Sequence, residues 1–403
     1  MRKQTTYTSL DKATFRILAA LGAAHFMNDA LQSVVSAAYP IIKEDLSVSY
    51  WEIGLITLVY QAAASVFQPV TGLYFDRRPS PRSLHAGMLF TMTGMLSIAF
   101  ADTVYAVFMS VFMIGIGSSV FHPEASRLTF LASGGRRGLA QSLFQVGGNA
   151  GGAMGPLMVA LLIAPYGRRY MACFAALALL TIMALRPVSR WYAAQLLCAR
   201  EGDGKAKGDG RVHTVSRRRT VFTIAVLLLL ILSKYIYTAG LTNFYTFFLI
   251  EKFGVTARSS QLLLFVFVLS TAIGTLIGGP LGDRIGRKYV IRLSILGAAP
   301  FALLMPHVGL LWTVILSFFA GLIISSAFPA ILVYAQELLP YRIGLVSGLF
   351  FGFAFGVAGV ASALFGFMAD IYGVAAVYGV CSFMPLAGII ACLLPDIKSA
   401  GRN

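Results

Sequence analysis

The chain has 403 residues, 58% of them hydrophobic and only 12% charged, with a mean hydropathy of +0.78. A soluble domain is roughly a quarter charged, so these proportions exclude a water-soluble enzyme, a disordered chain and a disulfide scaffold. The net charge of +16 would suit a nucleic-acid partner, but the placement of the charges removes that reading.

Twelve apolar runs lie at roughly 16–40, 51–74, 84–102, 104–126, 139–164, 171–190, 221–249, 260–282, 289–306, 310–335, 344–371 and 375–394. Each is close to the ~20 residues that cross a hydrocarbon core. An even count puts both termini on one side. With that side cytoplasmic, five of the 32 Lys and Arg residues fall in outer loops (Lys43, Arg168, Arg169, Lys252, Arg258). Lys234 lies inside a helix, and the remaining 26 are on the inner side. This is the positive-inside pattern, so the basic excess is an orientation signal and a contact for anionic lipid. The expectation is a multi-pass, monomeric membrane protein with cytoplasmic termini. Cys173, Cys198, Cys381 and Cys392 form no CxxC pair, so neither a disulfide framework nor a metal site is expected.

In chain order, the first helix carries His25, Asn28, Asp29, Gln32 and Ser36 on one face. Asp29 lies 13 residues past Arg16, about 20 Å into the core. The second helix repeats Gln61, Ser65, Gln68 and Gly72 and ends at Asp76-Arg77. The fourth carries His122, Glu124 and Arg127 around Pro123, which is expected to kink or loosen it. Counted from Val104, Glu124 lies about 30 Å along, near the cytoplasmic mouth. The fifth repeats Gln141, Gln145, Asn149 and Gly152. The two neutral polar stripes read either as walls of a cavity for a polar solute or as hydrogen bonds within one bundle.

Residues 200–219, rich in glycine and charge, separate the sixth helix from the seventh. The chain therefore divides into a six-helix bundle at 1–195, a cytoplasmic linker at 196–220 and a second bundle at 221–403. In the seventh helix Lys234, 13 residues past Val221, precedes Tyr235 and Tyr237; Tyr334 lies in the tenth. These tyrosines read as the aromatic side of a cavity or as interface anchors.

The halves repeat. Asp76-Arg77 matches Asp283-Arg284 at an offset of 207, as Ser118-Ser119-Val120-Phe121 matches Ser325-Ser326-Ala327-Phe328. Gly138 and Leu143-Phe144 match Gly344 and Leu349-Phe350 at 206. Two six-helix bundles with a site between them near the midplane is a transporter plan. The offset carries Asp29 to Ile236, beside Lys234, so these two charges are expected to face each other at similar depth. A permanently paired structural bridge is the alternative.

The loop Gly279-Pro-Leu-Gly-Asp283-Arg284-Ile-Gly286-Arg287-Lys288 resembles the signature of the major facilitator superfamily, Gly-x-Leu-Ala-Asp-Arg-x-Gly-Arg-Lys. The first-half copy keeps Gly72 and Asp76-Arg77 and then departs at Pro79, Ser80 and Pro81. Further segments are similar to the bacterial fosmidomycin-resistance transporters: His25 to Asp29, Phe121 to Arg127, Leu139 to Asn149, Ser233 to Tyr237, Tyr334 to Pro340 and Gly348 to Gly356. Gly147, Gly151 and Gly155-Pro156 resemble an antiporter signature of the superfamily, without its final Gly-Gly.

The resemblance implies an all-α membrane protein, twelve transmembrane helices in two pseudo-symmetric bundles, performing proton-driven drug efflux through the inner membrane. Asp76, Arg77, Gly279, Asp283, Arg284, Gly286, Arg287 and Lys288 are then the gating residues. An Asp–Arg cluster in a short turn can engage the ends of the opposite bundle's helices in only one state. Ionisable residues within the membrane are functional hypotheses by default. Asp29, Glu124, His25 and His122 are the expected proton-coupling groups. Lys234, Arg127, Asn28, Gln61, Gln68, Gln145, Asn149, Tyr235, Tyr237 and Tyr334 are the expected contacts of a small anionic substrate. No GxSxG, HExxH or GxxxxGK[ST] occurs, so no enzyme activity and no cofactor are expected, and the proton gradient is the energy source. An importer or exchanger of an endogenous organic or phosphorylated anion is the rival reading.

Overall fold

The computed structural model describes residues 12–48, 50–201, 217–255 and 257–395, and every regular element among them is helical. Hydrocarbon offers the backbone no hydrogen-bond partner, so a spanning segment must satisfy its own N–H and C=O groups, as a helix does. The first half comprises α1 (Lys12–Ala37), α2 (Tyr50–Arg77), α3 (Ser83–Ala99) and α4 (Val104–Leu131). It continues with α5 (Arg137–Met158, prolonged by a π turn at Val159–Ile163) and α6 (Phe174–Ala184 and Arg186–Glu201). The second half comprises α7 (Arg217–Phe253), α8 (Ala257–Ile285), α9 (Arg287–Leu304), α10 (Leu310–Ser325 and Ala327–Leu338) and α11 (Ile343–Tyr372). It ends in α12, Val374–Ser382 followed by the 3-10 segment Met384–Leu393.

All twelve expected passes are present. Eight among the described residues are long and apolar enough to span a membrane on length and hydropathy alone, and α3 is a shorter apolar helix. The polar positions of α1, α2 and α5, which include Asn28, Asp29, Gln61, Gln68, Gln141 and Gln145, lower the mean hydropathy of those three. The last helix of the first half ends at Glu201 and α7 opens at Arg217, while residues 202–216 of the expected linker lie outside the described residues. One expectation needs correction. Pro123 sits inside an uninterrupted α4.

In the first half α1 packs on α5, and α4 on both α2 and α3. In the second half α7 packs on α11 and α12, and α8 on α10. The halves meet along two seams, α2 on α11 and α5 on α8. Glycine makes both seams possible. A Cβ on Gly344 would lie 2.6 Å from the Gly72 carbonyl oxygen, and one on Gly348 would collide with the Gln68 carbonyl. Further along α11, a Cβ on Gly352 would come within 2.5 Å of the Ser65 carbonyl, whereas one on Gly356 meets nothing nearer than 3.9 Å. On the other seam, Gly138 and Gly279 are in backbone contact. The halves are thus pressed together at the end that carries the signature loops and part beyond it.

Gly279→Leu should therefore force the second seam open. Spin labels on α5 and α8 near the loop end should show a longer distance distribution than in the wild type. Unchanged distances would mean that backbone contact does not hold this state.

Candidate functional site

Helix N-termini leave their first N–H groups without intrahelical acceptors. In α5 the intrahelical ladder begins at Ala140 and in α11 at Val346, so Gly138, Leu139, Gly344 and Leu345 need partners. Carboxylates of the opposite half supply them. Asp283 at the end of α8 accepts from the Gly138 and Leu139 N–H groups, both at 3.1 Å. Asp76 at the end of α2 accepts from Gly344 at 2.9 Å and Leu345 at 2.8 Å. The two carboxylates are repeat mates, as are the two helix starts they cap. Each anion meets the positive end of a helix dipole. Arg287 donates to Asp283 and pairs with Glu337, each at 3.0 Å, and Glu337 also pairs with Arg137 of the first half at 3.0 Å. The first-half loop keeps its cap although its signature is truncated. Arg77 is exposed, and Gly286, at φ +101°, turns the chain into α9 in a conformation that favours glycine.

A second polar layer lies between the halves and was not singled out from the sequence. The buried Gln336 amide donates to Ser126 Oγ at 3.1 Å and Ser347 Oγ at 2.8 Å, and Gln141 donates to the same Ser126 Oγ at 2.5 Å.

Near the middle of α1, that helix and α4 bring three of the expected proton-coupling residues together. Asp29 Oδ2 lies 3.2 Å from His25 Nε2, and its Oδ1 lies 3.2 Å from His122 Nε2. Asn28 Nδ2 donates to Oδ1 at 3.0 Å. His25 Nδ1 rests on the Phe144 carbonyl at 2.6 Å, and His122 Nδ1 on the Ser118 carbonyl at 3.0 Å. The network continues through Ser118 Oγ to Gln32 Oε1 at 3.3 Å, which also accepts from Tyr60 OH at 2.5 Å. Both imidazoles are buried, while the Asp29 side chain is 21% exposed, so the carboxylate is the open edge of the cluster. Gly148 makes the room: a Cβ there would come within 2.5 Å of the His25 ring. Among the described residues this is the one grouping of three carboxylate, imidazole or thiol donors whose atoms lie within 4.8 Å of one another.

Asp29 and Lys234, expected to face each other, form no ion pair, so the alternative of a permanent bridge is not what this state holds. Lys234 is 6% exposed and makes no ion pair within 4.0 Å among the described residues; its Nζ lies over the rings of Tyr235 at 4.8 Å and Phe328 at 5.0 Å. Phenylalanines fill the gap. Phe328 contacts Phe351 at 5.3 Å between centroids, and His122 contacts Phe351 at 5.5 Å and Phe355 at 5.4 Å. An apolar layer is free to form here because the repeat offset fixes depth along the helices and leaves lateral distance unspecified.

Other assignments also change. Glu124 and Arg127 do pair, through Arg127 Nε and Nη2 at 2.8 Å each, but inside the first bundle. Ser83 donates to Glu124 at 3.0 Å and Arg127 donates to Tyr192 OH at 2.6 Å, so both charges are satisfied within the first bundle. Tyr334 donates to the Pro395 carbonyl, and Tyr237 is fully buried in the second bundle beside Cys381 and Tyr378. Gln68 is fully buried on the α2–α11 seam, and Gln145 is buried. Gln61 is half-buried, and the exposed Asn149 reaches Thr275 Oγ1 across the other seam at 3.3 Å. Gly147 and Gly151 of the antiporter-like pattern press α5 onto the Gly22 and Phe26 carbonyls of α1, which is packing within one half.

Two six-helix bundles, reciprocal caps across the seams and charged groups buried among the helices define a membrane transporter. The chain belongs to the Major Facilitator Superfamily, whose family model matches residues 21–250 and 226–403. It is 49% identical over 389 residues to the fosmidomycin resistance protein of Escherichia coli K12, covering 96% of this chain and 95% of that one. It is 38% identical over 394 residues to an uncharacterised MFS-type transporter of Bacillus subtilis 168, YfnC, covering 98% and 96% respectively. Among solved structures it resembles the transporter FucP in its outward conformation, with a TM-score of 0.71 at 14% identity, covering 96% of this chain and all (100%) of that one. At that identity the likeness concerns the fold.

Asp283→Asn and Asp76→Asn should each weaken one cap, because an amide offers a single acceptor oxygen and no charge. Charge-assisted hydrogen bonds contribute about 1.5–3 kcal/mol, so each variant should move the balance between conformations by roughly tenfold or more. Electron–electron resonance distances between the halves at the loop end would measure it. Wild-type distributions in both variants would leave the caps without a gating role.

Proposed function

We propose that the chain is a proton-coupled exporter of small anionic drugs of the fosmidomycin type, working by alternating access in the bacterial inner membrane with both termini cytoplasmic. One arrangement carries the reading. Asp29, held by two imidazoles at 3.2 Å, has an open edge at mid-membrane, and a buried lysine without an ion pair lies across an aromatic layer from it. Such a pair of opposed sites suits a proton on one side and an anion on the other. The relative from Escherichia coli, named for fosmidomycin resistance and 49% identical, supports the substrate class. Closure at the signature-loop end corresponds, in this orientation, to the outward-facing state, in which an exporter would reload protons. Importing or exchanging an endogenous organic anion is the second reading, favoured by the same Lys234, which recognises negative charge whatever the direction of transport.

Asp29→Asn removes a titratable group at constant size. It should abolish uphill efflux from proteoliposomes carrying a proton gradient while leaving drug binding detectable. Wild-type pumping against a gradient would sink the coupling role of this residue. Cellular accumulation of the drug, lower with the protein than without it, separates the exporter from the importer.

A phosphonate carries one or two negative charges, and bringing it to mid-membrane without a cation would cost several kcal/mol. Lys234→Gln should weaken its binding by more than tenfold, about 1.4 kcal/mol, and affect neutral solutes much less. Equal losses for charged and neutral solutes would move the anion site elsewhere.

A further inference from the structure

The two imidazoles of the Asp29 cluster are fixed in orientation by groups that can only accept. A backbone carbonyl has no hydrogen to give, so the contact from His25 Nδ1 to the Phe144 carbonyl at 2.6 Å requires a hydrogen on Nδ1. His122 Nδ1 faces the Ser118 carbonyl at 3.0 Å. The Ser118 hydroxyl is also near, at 3.1 Å, but its single hydrogen is directed to Gln32 Oε1. Nδ1 of His122 therefore carries its hydrogen as well. A neutral imidazole has one N–H, so in the neutral form both Nε2 atoms would present lone pairs to Asp29. Each lies 3.2 Å from a different carboxylate oxygen. A single carboxylic O–H could satisfy one of these contacts and would leave the other as lone pair against lone pair. Asn28, which already donates to Oδ1, favours the ionised carboxylate.

Resting on the proton-coupled reading, we propose that this cluster is a two-proton site: the protons sit on Nε2 of His25 and Nε2 of His122, and Asp29 is their ionised counter-ion. Asp29 is then a positioning residue, and the imidazoles carry the load. When one Nε2–H passes its proton to water at the open edge of Asp29, that nitrogen is left with a lone pair facing a carboxylate. The N–H···O bond is broken, the N–H electron pair stays on the ring, and the contact becomes repulsive. Loss of the proton from His122 would thereby loosen α4 from α1.

Among the described residues the surroundings contain no other ionisable group placed to take this part. From α5 the neighbours are Phe144 and Gly148, and from α11 they are Phe351 and Phe355. From α2, Tyr60 is bonded to Gln32, and from α6, Thr181 is bonded to Met27. On α4, Glu124 is closed on Arg127 and Ser83, and the charge of Lys234 lies beyond Phe328.

The test uses full-length protein in lipid nanodiscs with isotopically labelled histidine. The parent has His85, His213 and His307, the three histidines outside the cluster, replaced by Gln. In it a pH titration followed by infrared difference spectroscopy should show two imidazolium groups losing protons, one of them missing in His25→Gln and the other in His122→Gln. No carboxylic-acid C=O band should appear that Asp29→Asn abolishes. Such a band, or a single titrating imidazole in the parent, would overturn the proposal. If His25→Gln fails to fold, the parent's count and His122→Gln decide the matter. Addition of fosmidomycin at fixed pH, with a dye counting released protons, tests coupling separately. Two imidazolium signals with no drug-linked release would retain the two-proton site and refute the coupling on which it was read.

Discussion

A helix that begins at the boundary between two bundles exposes N–H groups that nothing in its own bundle can satisfy. Asp76 and Asp283 answer this need for α11 and α5, each from the opposite half. The rest of the described state depends on that exchange. The caps draw the loop ends of the halves together, and the glycines at 72, 344, 138 and 279 let the backbones meet without side chains between them. Behind the caps, the Ser126–Gln336 contact adds a polar layer that also spans the halves. Because each cap joins two halves rather than two turns of one helix, it cannot persist when the halves separate there. The energy of the interaction is therefore tied to one conformation.

The repeat accounts for what could be read in advance at this end of the molecule. Asp76 with Asp283, and Gly138 with Gly344, are visible as matched pairs in the sequence, and their structural partners are the same pairs exchanged. Helix periodicity likewise placed His25 and Asp29 on one face, four residues apart, and they are in contact. Lateral geometry was not legible. That His122 rather than Lys234 reaches Asp29 depends on how α4 leans on α1 and on four phenylalanines, and no spacing within one helix encodes it. Tyr334 and Gln68 illustrate another limit, since a polar group at mid-helix can face a neighbouring helix as readily as a solute. Gly148 lies in α5 with nothing in its spacing to mark it, and its purpose, the space it leaves for an imidazole, shows only in the packing of α5 on α1.

The first bundle holds two clusters of charge with different characters. Glu124 and Arg127 satisfy each other with two hydrogen bonds, and Ser83 and Tyr192 complete them. Removing one member would leave a buried charge uncompensated, a change that typically costs about 3–5 kcal/mol; such a cluster stiffens the bundle. Asp29 differs because its partners are imidazoles, which are charged only when both ring nitrogens carry a hydrogen. The same helix, α4, thus contributes Glu124 to a fixed cluster and His122 to a variable one.

The phenylalanine layer between Asp29 and Lys234 has an electrical meaning. Opposite unit charges at 4 Å attract by about 4 kcal/mol at an effective dielectric constant of 20, enough to pull a flexible lysine onto a carboxylate. Phe328 and Phe351 hold them apart, so the cleft is not short-circuited by its own side chains. A standing field is left across the phenylalanine layer, and it would reach into any space that opens beside that layer. A solute with an acidic end and a hydrogen-bonding end would be turned by that field before it touched either wall. Its acid would point to the second bundle and its donor to the first, so entry and orientation become one event.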